Sequence, residues 1–160
     1  MLNKVRQFTA LDLSYKLIFI QAWFMLGYMR AAILATSFKR LSASMQHHRE
    51  AISAPSLDSG QLKEAARIGQ LVASAAKYTP WQSLCLPQVL VTQRLLASRN
   101  IPGQFYLGVR KGEAGEEGME DLSGLAAHAW LDCGGFIVNG GAGHQSFTVL
   151  STFSWGGSND

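Results

Sequence analysis

At Pro102-Gly103 the hydrophobic period of this chain changes. Before that point apolar residues recur at helical spacing. After it they alternate, or run in short strand-like stretches broken by glycine. Helices first and strands second do not fit an alternating βαβ sheet. They predict an α+β domain, with N-terminal helices followed by a small antiparallel sheet. The chain has 160 residues, which allows one sizeable core and not two.

The first helix is expected from about Asp12 to Thr36, with Thr9 or Ser14 as candidate caps. Its middle is apolar nearly all round, through Phe19, Ile20, Trp23, Phe24, Leu26 and Met29. Such a helix is buried on several sides or docked on a partner. Lys16 and Arg30 bracket thirteen uncharged residues, short of the roughly 20 that a membrane span needs. No small-residue cleavage site follows, so the stretch is read neither as a span nor as a signal peptide. Membrane association is not expected, and the expected compartment is the reducing cytoplasm, where two free thiols are ordinary.

Ser37–Arg49 is expected to continue this helix or form a second. Its basic cluster of Lys39, Arg40, His47, His48 and Arg49 is read as a solvated face. Ser53–Gly60 reads as a linker, and Asp58 with Gln61 as a capping pair for the next helix. From Gln61 to Lys77 the apolar or small residues fall at 62, 65, 66, 69, 72, 73 and 76, a narrow Ala/Gly stripe suited to close packing. Thr79-Pro80 ends that helix. Another starts near Leu84–Leu86 and runs to Asn100, with Pro87 tolerated in its first turn. Gln104–Arg110 is a predicted strand and Lys111–Gly124 a loop. Leu125–Cys133 and Phe136–Asn139 flank a hairpin turn at Gly134-Gly135, and Ser146–Phe153 is the last strand. The organisation expected is a helical segment with linker over 1–60, a core over 61–155 and a flexible tail over 156–160.

Charge follows the same division. Residues 1–77 carry ten Lys/Arg and four Asp/Glu, a net +6; residues 78–160 carry four and seven, a net −3, giving the overall +3. The imbalance points to different jobs for the two halves. It is too mild to demand nucleic acid as a partner. At 48% hydrophobic and 16% charged residues, the chain is not a disordered tail.

Cys85 stands at the predicted start of a helix. Free backbone N–H groups and the helix dipole there lower a thiol's pKa and favour a developing oxyanion. His128, in Ala127-His128-Ala129-Trp130-Leu131, is the candidate base. Each also has a plain structural reading, as a buried small hydrophobe and a satisfied strand histidine. A third group would orient the imidazole. With a two-residue turn at Gly134-Gly135, Trp130 faces Asn139, which puts Asn139 diagonally beside His128; a one-residue slip would move it to the other face. Asp132, on the His128 face but further along, is the second candidate. Cys133 has the opposite parity and reads as structural, and His144 reads as an exposed loop residue. His47-His48 lacks a partner at metal spacing, and Gly140-Gly141-Ala142-Gly143 opens no helix, so neither a metal nor a phosphate cofactor is expected.

Three motifs in order resemble one family. Trp81-Gln82-Ser83-Leu84-Cys85-Leu86 is similar to the W-x-x-x-C-L motif of the transglutaminase-like leader peptidases of lasso-peptide biosynthesis. Leu107-Gly108-Val109 and His128-Ala129-Trp130 match its strand and its H-A-W motif. The resemblance covers about residues 63–153 and implies a papain/transglutaminase-like core with Cys85 as nucleophile and His128 as base and acid. The family's Asp falls here at Asn139-Gly140, where Asn139 would have to serve; Cys-His-Asn is a working arrangement in papain-like enzymes. The implied function is removal of the leader from a ribosomally made precursor. The implied partners are that precursor's leader, a separate leader-binding protein and an ATP-dependent lasso cyclase. An acyl transferase or amidase using the same pair, a non-catalytic binding module and a membrane-anchored scaffold are the alternatives.

Overall fold

A computed structural model of the chain describes residues 12–48, 53–111 and 125–156. In order these form helix α1 (Leu13–Ala35), the single turn α2 (Phe38–Leu41), β1 (Gln46–His48), α3 (Ser59–Ala76), α4 (Cys85–Ala97), β2 (Gly103–Lys111), β3 (Leu125–Cys133), β4 (Phe136–Asn139) and β5 (Thr148–Trp155). The strands make one antiparallel sheet in the order β1-β5-β2-β3-β4. This is the α+β arrangement that the change of period predicts. The proposed cap Thr9, Arg49, residues 112–124 of the acidic loop and the last four residues of the tail lie outside the described residues.

Helix α4 is the centre of the core. Its Val89, Leu90, Val91, Leu95 and Leu96 are all buried, as are Phe105, Leu131 and Phe153 of the sheet. A helix buried on most of its sides sits between layers, and α1, α3 and β3 all pack against it. Helix α3 begins with the expected capping box: Asp58 Oδ1 accepts from the N–H groups of Gly60 (2.7 Å) and Gln61 (2.9 Å), and the Asp58 N–H donates to Gln61 Oε1 (3.2 Å). Its small-residue face packs under β4, and a Cβ at Gly69 would stand 2.0 Å from the Val138 carbonyl oxygen. Gly69→Ala is expected to force the two elements apart and cost about 1–3 kcal/mol, read as a lowered thermal midpoint.

Helix α1 has two apolar faces. Ile18, Ala22, Leu26 and Met29 enter the core, while Leu13, Leu17, Ile20, Phe24, Tyr28 and Leu34 are exposed. Among the described residues it is the one helix long and apolar enough to cross a membrane by length and composition. Its inner face nonetheless belongs to this domain's core.

The segment after α1 departs from expectation. It forms one helical turn and then β1, which pairs with β5. His47 and His48 do not sit on a solvated helix: their Nε2 atoms lie 3.2 Å from Ser151 Oγ and 2.8 Å from Ser154 Oγ. Helix propensity here yields to the backbone groups that β5 presents on its outer side.

Candidate active site

The loop before α4 is tied down on both sides. Thr79-Pro80 stops α3, and the chain then crosses α1. Trp23 Nε1 donates to Tyr78 O (3.1 Å) and Arg30 donates to Gln82 O (3.0 Å). The Trp81 ring lies 5.3 Å from that of Trp23, over Gly27, where a Cβ would be 2.8 Å from the indole. On the other side Gln88 Nε2 donates to Ser83 O (2.7 Å). Arg30, the charge that interrupts the apolar stretch, thus anchors the loop that delivers Cys85. Trp81 of the W-x-x-x-C-L motif is the wedge that seats the loop on α1.

Cys85 is the first residue of α4, and its half-buried sulfur meets His128. Strand β4 ends opposite Leu131, which leaves the β3 edge near Ala129 to the start of α4. Burial pushes the Cys85 thiol up, but the hydrogen bond to His128, the Ala129 N–H, the imidazolium charge and the Leu86 N–H together hold it below its usual 9.0. His128 is raised above 6.5, chiefly by the hydrogen bond with Cys85. Burial opposes this, the Gly140 carbonyl and the Cys85 charge add to it, and Arg110 works against it. The opposed shifts favour a thiolate–imidazolium pair.

The imidazole is packed between rings, with Phe147 at 5.0 Å and Trp130 at 5.9 Å. Gly108 lies opposite His128 on β2, and a Cβ there would stand 2.8 Å from Trp130 and 3.0 Å from Phe147. The glycine of Leu107-Gly108-Val109 therefore makes room for the rings that hold the histidine. His144 joins the same wall, its ring 5.7 Å from Trp130 and its Nδ1 2.6 Å from Gly141 O. It is half-buried, not a free loop side chain.

The two side chains expected to orient His128 do not reach it. A bulge between Leu131 and Asp132 sets Asn139 opposite Leu131 instead of Trp130. That is the slip that reverses its face: Asn139 is buried, with Nδ2 3.4 Å from Gly69 O on α3. Asp132 accepts from the Gly135 N–H (2.9 Å) and so closes the hairpin turn, and burial pushes its carboxyl up. His128 Nε2 instead lies 2.7 Å from the carbonyl oxygen of Gly140. Cys133 is buried and its thiol is pushed up to about 12, mainly by burial. Among the described residues, no three His, Cys, Asp or Glu side chains converge as metal ligands do.

A sequence profile of the transglutaminase-like superfamily matches residues 28–152. The chain belongs to this superfamily. The match begins within α1, ends in β5 and contains both Cys85 and His128. The transglutaminase-like superfamily carries chemistry of the cysteine-peptidase and acyl-transferase type, to which a thiol paired with an imidazole is suited. No curated protein and no solved structure matches this transglutaminase-like chain.

Proposed function

We propose that the chain is a cytoplasmic cysteine peptidase that removes the leader from a lasso-peptide precursor, with Cys85 as nucleophile and His128 as acid and base. The observation that carries this reading is the contact of the Cys85 sulfur, at the start of α4, with the His128 imidazole. The order of the Trp81–Leu86, Leu107–Val109 and His128–Trp130 motifs supports the lasso assignment.

In this mechanism the Cys85 thiolate attacks the carbonyl of the last leader residue, and a C–S bond forms. The tetrahedral oxyanion collapses, the C–N bond breaks, and His128 gives its proton to the departing α-amine of the core. Water, losing a proton to His128, then attacks the thioester and releases the leader acid. The freed amine is the group that a separate ATP-dependent cyclase needs to close an isopeptide ring. Acid quenching during turnover is expected to trap Cys85 bearing the leader acyl group, seen as a mass adduct on the intact chain. An adduct on another residue, or none during turnover, would exclude this route. The superfamily also contains acyl transfer, in which an amine takes the place of water. Both share this thioester and differ only in the final product.

A separate leader-binding protein is the proposed partner. Its docking surface is the exposed face of α1 together with the basic segment Lys39–Arg49. Replacing Lys39, Arg40 and Arg49 together is expected to weaken carrier binding about tenfold, measured by titration at fixed ionic strength. Unchanged affinity would remove the basic segment from that surface.

A further inference from the structure

We infer that the backbone carbonyl of Gly140 positions His128, taking the place of a side-chain third member of the site. This rests on the reading of Cys85 and His128 as a reactive pair. A carbonyl oxygen can only accept, so at 2.7 Å His128 Nε2 carries the proton. A neutral imidazole then has its lone pair on Nδ1, and Nδ1 is the nitrogen left for Cys85. That is the tautomer a general base for the thiol requires.

The contact depends on glycine at this position. Gly140 has φ +72°, and a Cβ there would lie 2.3 Å from the Ala129 carbonyl oxygen and 2.9 Å from Trp130 Cα. Only a residue without a side chain brings its own carbonyl so close to β3. Ala129 serves both sides of the arrangement: its N–H meets the Cys85 sulfur, and its C=O abuts Gly140. The side-chain candidates are engaged elsewhere, Asn139 at Gly69 and Asp132 at Gly135. A carbonyl holds the tautomer and the ring's orientation but brings no full negative charge to the imidazolium. Among the described residues, the charged or titratable groups around the ring are Cys85 from α4, Arg110 from β2 and, against Trp130, Tyr106 from β2 and His144 from the turn before β5.

The test needs no peptide substrate, so its failure is separable from failure of the peptidase reading. In the full Cys85→Ala chain labelled with ¹⁵N-histidine, above the imidazole titration, His128 is expected as the Nε2–H tautomer alone. A mixed or Nδ1–H population would overturn the inference. In the Cys85-containing chain, the pH midpoint for iodoacetamide alkylation of Cys85 is expected to stay in place in Asn139→Ala and to move upward in Gly140→Ala. A shift in Asn139→Ala as large as that in His128→Ala would also overturn it. Should Gly140→Ala not fold, the tautomer and the Asn139→Ala profile decide the matter.

Discussion

Cys85→Ala is expected to abolish leader removal, lowering kcat/KM by at least about 10⁴-fold, while the chain stays folded. The thiol is half-buried at the edge of the core, and its polar partners are the imidazole and two N–H groups of the site. Alanine keeps the helix start and removes only the sulfur. The expected loss of stability is about 1 kcal/mol or less, and the thermal midpoint checks it. Without the sulfur no thioester forms, and the precursor's peptide bond has no nucleophile but water. Cleavage that persists within tenfold of the unsubstituted chain would place the nucleophile elsewhere.

His128→Ala is expected to lower kcat/KM by about 10³–10⁴-fold and, separately, to silence the thiol at neutral pH. Burial pushes Cys85 up; the hydrogen bond from His128 is the largest of the effects that bring it below 9.0, followed by the Ala129 N–H and then the His128 charge. Remove the hydrogen bond and charge of His128 and burial is opposed only by the Ala129 and Leu86 N–H groups, so the alkylation midpoint is expected to rise. In the unsubstituted chain, hydrolysis is expected to rise with pH as the thiolate forms, below 9.0. It falls again above 6.5 as the raised imidazolium loses the proton it must donate. These limbs belong to the coupled pair and not to either residue alone. Alkylation lacks the falling limb, because iodoacetamide needs only the thiolate. A His128→Ala chain whose Cys85 alkylates like the unsubstituted one would contradict the pairing.

Much of this site is legible in residue order. Pro80 before and Pro87 after Cys85 mark a helix start, and a helix start is where a thiol is lowered. The alternation through Ala127–Leu131 places His128 on a strand, and the apolar or small residues at Ala65, Gly69 and Val72 announce a tightly packed helix. Asn139 shows where such reading ends. Strand period is two, so one extra residue at the Leu131/Asp132 bulge turns Asn139 from the His128 face to the α3 face. Nothing in Ile137-Val138-Asn139 marks that insertion. Gly140 is harder still, because every residue has a carbonyl and sequence carries no sign of the one that matters. Its only trace is the glycine itself, at a position where positive φ is needed. The strand at Gln46–His48 was hidden for a different reason: its three polar residues pair because β5 has an edge to offer, not because they favour a strand.

The most direct test of the peptidase reading is the mass spectrum of the precursor after incubation with this chain and the leader-binding protein. Two products are expected, a leader acid ending at the leader–core junction and a core with a free α-amine, with masses that sum to the precursor plus one water. Intact precursor in the presence of folded chain and bound carrier, or a leader whose new end carries an amine instead of water, would contradict it.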